Sequence, residues 1–178
     1  MKLVGCSVFR TELEHVLGDS VEVEWLPGKL DIEPERLHRA LAAALDASPG
    51  AGCLYGMCTP DIDGLVAGHG GRRLAVRNCV DAFLSREERD AFGEHAFIMT
   101  PSLLRDWREV YMEGLGWDEI DGRINFGTYE VIVLLDFGLE PIDDIDVLEF
   151  FDFTQTPIDI VPASLERFRG LVGELLRE

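Results

Sequence analysis

Four cysteines are the residues of this 178-residue chain whose type and position most clearly offer chemistry. Cys58 ends the stretch GAGCLYGMC, which also contains Cys53, while Cys6 lies in the first apolar run, KLVGCSV, and Cys79 follows the run RRLAVRN. Thiolates are strong ligands for zinc and for iron–sulfur clusters, so three cysteines in one place would form a soft-metal site. The chain has no CxxC pair, and therefore lacks the spacing of a zinc ribbon.

Short apolar runs alternate with amphipathic segments along the whole chain, and this alternation predicts strands separated by helices. The pattern is typical of an α/β fold with one mostly parallel central sheet and helices on both faces, and we expect a single three-layer domain over residues 1–178. The strand order is not readable from the pattern. The pattern predicts strands over 50–58, 72–78 and 129–139 and a helix over 80–92. For EPIDDIDVLEFFDF it predicts an exposed loop with a short strand.

The predicted strands place three cysteines where parallel sheets bind ligands, at the carboxyl ends of strands. Cys6, Cys58 and Cys79 fall at such ends, whereas Cys53 lies inside its strand and is expected in the core. Cys79 also precedes a predicted helix, whose dipole would favour its thiolate. Three thiolates would leave one tetrahedral position of a zinc ion open for a substrate thiol or water. The alternative interpretation is that all four cysteines are ordinary core residues, because free cysteine is among the most buried residue types.

Three other side chains are candidates for binding a ligand at the same edge. Tyr55 and Arg77 lie near the ends of the third and fourth predicted strands, and a guanidinium can hold a carboxylate or a phosphate. Pairing of Arg77 with a local acid is the competing interpretation. His69, in the glycine-rich stretch AGHGG, could approach the edge as a fourth ligand or as an acid–base group.

The charge balance excludes several classes of partner. The net charge is −18, from 34 acidic and 16 basic residues, and such a field repels nucleic acid and anionic membrane surfaces. No apolar run reaches the roughly 18 residues of a membrane span, and the start MKLVGCSVFRTELE meets charge too early for a secretory signal. We therefore expect a cytoplasmic protein, whose cysteines are thiols or metal ligands rather than disulfides.

Several stretches taken together resemble a known family. GCSVFRTELE, LYGMCTPDIDGL and VRNCVDAFLS are similar to motifs of an uncharacterised bacterial and archaeal family, domain-of-unknown-function family 1638, and FIMTPSLLRDW is similar to a further segment of it. By this resemblance Cys6, Cys58 and Cys79 take the places of the family's three motif cysteines. The chain departs from the family at Thr59, where the family has glycine, and at Asp31, where the family has histidine. A histidine ligand at that second position is therefore lost.

The resemblance implies a metabolic setting, because genes of the family often lie near corrinoid methyltransferase systems. We expect a protein of methyl-group or corrinoid metabolism that binds zinc, with an iron–sulfur cluster as the alternative cofactor. It would act as a thiol-activating transferase or as an accessory protein that handles a cofactor. The expected partners are a corrinoid protein or a methyltransferase, with contact to the corrinoid itself. Two alternatives stay open: a non-catalytic acidic protein that docks an enzyme, and a redox protein that cycles a Cys58–Cys79 disulfide.

Overall fold

The computed structural model describes residues 2–18 and 21–177, and the strands within them form two parallel sheets. The expected α/β class, with parallel strands and flanking helices, is confirmed, but the strands are divided between two sheets instead of forming one central sheet. The chain divides into two compact units, residues 1–83 with 165–178 and residues 84–164. The single-domain extent expected for residues 1–178 stays a prediction.

Within the described residues, the first unit contains four parallel strands in the order β2–β1–β3–β4. Its elements are β1 (Leu3–Cys6), α1 (Arg10–Leu17), β2 (Val23–Leu26), α2 (Pro34–Ala47), β3 (Gly52–Leu54), α3 (Ile62–Gly68), β4 (Arg72–Arg73) and the last helix of the chain, α8 (Glu166–Leu176). The chain leaves β1 toward β2 on one side and leaves β3 toward β4 on the other, so the topological switch point lies between the carboxyl ends of β1 and β3. Open α/β sheets bind their ligands at that point.

The two central strands of the first unit are buried along their whole length. Every residue of β1 and of β3 is buried, as expected for parallel strands that are covered on both faces. The helix α2 begins with a proline in its first turn, as predicted, and the helix buries one apolar stripe, Leu37, Leu41, Ala44 and Leu45. Because these strands are buried, the points at which the loops after β1 and β3 leave the sheet are fixed by the core.

Three phenylalanines fasten the segments that leave the carboxyl edge. The ring of Phe9, just after β1, lies 5.8 Å from the ring of Phe83, and both rings pack on Phe168 of α8 at 5.5 Å and 5.1 Å. Arg72 of β4 donates hydrogen bonds to the carbonyls of Leu175 and Arg177 at the end of α8. The last helix thereby stabilises both the sheet and the turns that follow it.

The fourth strand and the helix predicted after it are shorter than the sequence pattern indicates. β4 covers only Arg72–Arg73, and the chain leaves the sheet before residue 74. The Arg73 guanidinium binds the carbonyls of Leu74 and Val76, which a longer strand would offer to a neighbour. The predicted helix over 80–92 is divided into a short 3-10 turn, Val80–Ala82, and a separate helix, Arg86–Asp90 (α4).

The second unit has three parallel strands in the order β5–β6–β7. Its further elements are β5 (Ala96–Met99), α5 (Pro101–Arg105), a π-helix (Arg108–Gly114), α6 (Glu119–Phe126), β6 (Val131–Asp136), α7 (Asp144–Thr154) and β7 (Ile158–Pro162). The core of β6 is buried, as its apolar run predicts. The prediction for EPIDDIDVLEFFDF was wrong, because most of it forms α7, whose first turn is capped by the carboxylate of Asp143.

No helix within the described residues combines the length and the apolarity that crossing a bilayer requires.

Candidate functional site

Three cysteines meet at the switch point of the first unit. Cys6 is the last residue of β1, Cys58 lies in the loop after β3, and Cys79 ends the irregular segment after β4. Each of the three thiols acts electrostatically on at least one of the others, and all three pairings occur. The structure therefore brings the three predicted residues to one edge, and we call Cys6, Cys58 and Cys79 the thiol cluster.

Two hydrogen bonds tie the neighbours of Cys6 and Cys58 to a third segment, which follows β2. The backbone amide of Gly28 donates to the Ser7 hydroxyl at 2.9 Å, directly beside Cys6. The Thr59 hydroxyl, directly beside Cys58, donates to the carbonyl of Pro34 at 2.8 Å. The segment 28–34 is thus anchored on two sides of the thiol cluster.

The loop that carries Cys58 also packs against the segment that carries Cys79. A Cβ atom on Gly56 would lie 2.5 Å from the carbonyl oxygen of Arg77 and 2.7 Å from the Cα of Asn78. Only a residue without a side chain allows this approach between two backbones. The sequence pattern gave no sign that Gly56 has this role.

Arg73, rather than the predicted Arg77, organises this edge. The Arg77 side chain is exposed and forms no hydrogen bond or ion pair with the residues that the structure describes, so its role as a ligand-binding residue stays a prediction. The largely buried Arg73 guanidinium binds the Asp63 carboxylate at 2.8 Å and the Tyr55 carbonyl at 3.2 Å, besides two carbonyls of its own segment. An arginine satisfies several acceptors at once because its five donors are fixed in a plane.

Backbone amides lie near two of the sulfurs of the thiol cluster. The backbone at Val8 lowers the pKa of Cys6, and the backbone at Cys79 and Val80 lowers the pKa of Cys79, in both cases less than burial raises it. For Cys53, inside β3, the lowering influence among the described residues comes from Arg73 and not from backbone amides. Hydrogen bonds to sulfur are a common feature of metal-bound thiolates. The sulfurs of Cys6 and Cys79 therefore differ from that of the core cysteine.

Burial nevertheless dominates the titration of all three thiols. Desolvation raises the pKa of Cys6 to about 12 and that of Cys79 to about 11, and it raises the pKa of Cys58 as well. Cys79 keeps some exposed surface, but protein atoms surround its sulfur densely enough for burial to dominate. The helix that was expected to stabilise the Cys79 thiolate does not form there, because only a short 3-10 turn, Val80–Ala82, follows Cys79; the nearby backbone lowers the pKa of Cys79 less than burial raises it, and the metal-free cluster is protonated at neutral pH.

Tyr55 supplies a buried polar atom without a partner. Its side chain is 1% exposed, and its hydroxyl forms no hydrogen bond among the described residues. The hydroxyl comes close enough to Cys6 to lower the pKa of that thiol, although it does not reach hydrogen-bond geometry. Burial and the nearby thiols raise the pKa of Tyr55 itself. A buried hydroxyl without a partner is costly and is usually satisfied by a ligand, an ion or a water molecule.

Asp31 is the residue at this edge that sequence reasoning missed. It lies in a 3-10 turn, Gly28–Ile32, and its carboxylate lies close enough to the Cys58 thiol to help raise the pKa of that thiol. Asp31 also acts electrostatically on Cys6, Cys79 and Tyr55. The sequence indicated only that a histidine is absent here, because the position of the turn depends on the strand order.

His69 does not join the thiol cluster. Its Nδ1 contacts the Leu65 carbonyl at 2.7 Å and its Nε2 contacts the Asp46 carboxylate at 3.1 Å. Its own carbonyl accepts from the amide of Gly50, which precedes β3, so His69 lies at the amino edge of the sheet. The predicted approach of His69 to Cys58 is wrong because α3 carries the chain back to that opposite edge.

The thiol cluster offers the donor set of a soft-metal site without forming a ready-made one. Among residues 2–18 and 21–177, no three His, Cys, Asp or Glu side chains are arranged as a group that could hold a metal ion. The chemistry of the donors fits such an ion, since three sulfurs, backbone amides near two of them and an unpartnered hydroxyl share the edge. A metal would have to replace the thiol protons and draw the sulfurs together.

Comparison with known proteins identifies a matching protein family. A family model described as a protein of unknown function, DUF1638, matches residues 25–172, which include Cys58 and Cys79 but not Cys6. Searches of curated proteins and of solved structures found no match.

Proposed function

The chain belongs to the DUF1638 family, and on that premise we propose that it binds one zinc ion through Cys6, Cys58 and Cys79. The observation that carries this proposal is the meeting of three thiols from three separate segments at the switch point of a parallel sheet. Cysteines that serve only in core packing do not need to lie together. Cys53 is such a residue, since it is fully buried inside β3. An iron–sulfur cluster is the alternative cofactor for the same three sulfurs.

The second part of the proposal concerns metabolism. We propose that the protein serves methyl-group or corrinoid metabolism, as a thiol-activating transferase or as an accessory protein that handles a cofactor. This part is supported by the family resemblance alone. When bound, a zinc ion would supply Lewis acidity that favours the thiolate form of a substrate thiol. The Tyr55 hydroxyl, buried beside the cluster, is the group that could orient such a ligand.

A redox role for a Cys58–Cys79 pair is less favoured by the environment of the thiols. Cysteines that exchange disulfides usually have a lowered pKa, because the thiolate is the reacting form. Both Cys58 and Cys79 have a raised pKa instead.

Metal analysis of the full chain, purified without added metal, tests the proposal. We expect about one zinc per chain in the natural protein. The half-buried positions of Cys58 and Cys79 allow serine without a large change in packing, so Cys58→Ser and Cys79→Ser should stay folded and lose the metal. Cys53→Ala is the matched control, since it removes a thiol from the core and should keep the metal. Folded natural protein that carries no metal would contradict the proposal. An iron-dependent colour would show that the three cysteines bind iron instead of zinc.

A further inference from the structure

We infer that the outer face of α7, in the second unit, is a docking surface for a basic amphipathic helix of a partner protein. The exposed apolar residues of this face are Ile145, Leu148 and Phe151, and we call them the α7 stripe. The inference does not depend on the thiol cluster or on a metal, because the residues that carry it belong to the second unit alone.

Helix α7 is apolar on two sides. Its inner side is buried through Phe150 and Phe153, whose rings lie 5.4 Å and 4.8 Å from the ring of Trp107. Its outer side carries the α7 stripe, in which Ile145 is 63% exposed and Leu148 is 62% exposed. A helix that is apolar all round is normally buried all round. The described residues cover only the inner side of α7, so the outer side is left for a partner.

The α7 stripe is continuous along the helix. Its three residues are three positions apart, and residues at that spacing are neighbours on a helix surface. From first to last they extend about 9 Å along the helix axis. Scattered exposed apolar residues are ordinary on a protein surface, whereas a row of them marks an interaction site. A second helix with an apolar stripe of its own would pack along such a row.

Carboxylates flank the α7 stripe. Residues 143–154 contain no basic residue. Their acidic residues are Asp143, Asp144, Asp146, Glu149 and Asp152. Asp144 and Asp152 each lie four positions from Leu148, so both are its neighbours on the helix surface. Asp152 also lies in the last turn, where the helix dipole disfavours an anion. The stability of the helix therefore does not account for Asp152, whereas a cation on a partner would.

The charge of this face favours a cationic partner over a second copy of the chain. A second copy would bring the same carboxylates together, and each chain carries a net charge of −18. Like charges that face each other across an interface oppose binding. A helix whose apolar stripe is flanked by lysine or arginine would instead cover Leu148 and place its cations beside Asp144 and Asp152.

Two synthetic helical peptides of opposite charge test this inference on the full chain. One is built from leucine and lysine and the other from leucine and glutamate, with the same apolar spacing, and fluorescence anisotropy of the labelled peptide measures each affinity. We expect the glutamate peptide to bind at least about tenfold more weakly than the lysine peptide. Leu148→Gln should weaken binding of the lysine peptide about fivefold or more. Ile160→Thr, which changes an exposed apolar residue of β7, is the matched control and should leave that affinity unchanged.

A second pair of variants separates the charge beside the α7 stripe from the net charge of the chain. Asp152→Asn and Asp159→Asn each remove one exposed carboxylate, the first from α7 and the second from β7. Asp152→Asn should weaken binding of the lysine peptide about threefold and reduce the salt dependence of the affinity. Asp159→Asn should change neither.

Three results would overturn the inference. The first is a natural chain that does not bind the lysine peptide. The second is an equal affinity of all four variants, which would mean that the peptide responds only to net charge. The third is a dimer, seen by light scattering, that Leu148→Gln dissociates, because a second copy would then occupy the α7 stripe. Circular dichroism of each variant identifies loss of binding that comes from misfolding.

Discussion

The backbone amide of Met57 donates a 2.6 Å hydrogen bond to the carbonyl of Arg77, and this bond joins the loop that carries Cys58 to the segment that carries Cys79. The contact is between two backbones, so it depends on close approach rather than on a particular pair of side chains. The geometry of the thiol cluster is therefore sensitive to changes that separate these two segments.

The first prediction concerns Gly56, at the closest point of that approach. Gly56→Ala should lower the free energy of unfolding by about 1–3 kcal/mol, because the added methyl group would overlap the backbone at Arg77 and Asn78. It should also weaken metal binding. Urea denaturation measures the first effect and competition with a chelator measures the second. The control is Gly68→Ala in α3, where a Cβ would meet no atom within 4 Å and stability should be unchanged or slightly higher. Equal stability of the two variants would show that the close approach is unimportant.

The second prediction concerns Arg73. Arg73→Lys should cost about 2 kcal/mol of stability, because an ammonium cannot replace a guanidinium that holds Asp63 and three carbonyls at once. Denaturant titration in the absence of metal measures this loss. Arg86→Lys provides the comparison, since Arg86 forms an exposed ion pair with Asp90 and should change stability by no more than about 0.5 kcal/mol. A tolerated lysine at position 73 would contradict the organising role given to this side chain.

Sequence reasoning located the cysteines better than it located their surroundings. Apolar runs predict roughly where strands end, and Cys6 ends β1 as predicted, but β3 ends at Leu54 and β4 at Arg73, so Cys58 and Cys79 lie in the segments that follow these strands and not at the strand ends. The neighbours of the cluster depend on strand order, which local patterns do not contain. For that reason the sequence did not place Asp31, in the turn after β2, beside the cysteines; it indicated only that the family's histidine is absent at this position.

Other differences from the sequence-based expectations have local physical reasons. Arg73 and Arg77 are equivalent in the pattern, and only the early end of β4 turns one inward and leaves the other exposed. The helix α7 was missed because apolar residues occupy both of its faces, with Phe150 buried and Leu148 exposed, so the apolar period of a helix is blurred. The division into two sheets was equally hidden, since each strand is predicted from its own residues alone.

The third prediction concerns His69. The Leu65 carbonyl, followed by the Asp46 carboxylate, raises the pKa of His69, because both ring nitrogens face acceptors and the doubly protonated ring can donate to each. A raised pKa in the folded state means that the stabilisation is fully present below the ordinary histidine value near 6.5 and is lost as pH rises through the higher folded value. Nuclear magnetic resonance titration should therefore show His69 protonating above the ordinary value. Asp46→Asn should bring that value down, and an unshifted titration in both proteins would contradict the contact.

The fourth prediction concerns protons released by metal uptake. The pKa of Cys6 is about 12 and that of Cys79 about 11, and the pKa of Cys58 is also raised, so all three thiols of the metal-free protein are protonated near neutral pH. Binding of zinc should release about three protons per ion, and its apparent affinity should rise with pH. Calorimetry in two buffers of different ionisation enthalpy counts these protons.

Cys58→Ser provides the reference for that count. Any zinc it binds should release about one proton fewer than in the natural protein. Binding heats that are the same in both buffers would mean that zinc binds somewhere other than the thiols.

X-ray absorption at the zinc edge tests the central claim most directly. If the protein holds its metal through Cys6, Cys58 and Cys79, the purified full chain should contain about one zinc with three sulfur neighbours at about 2.3 Å and one lighter neighbour near 2.0 Å. A zinc ion surrounded only by nitrogen and oxygen, or a folded protein that binds no zinc at all, would contradict the claim.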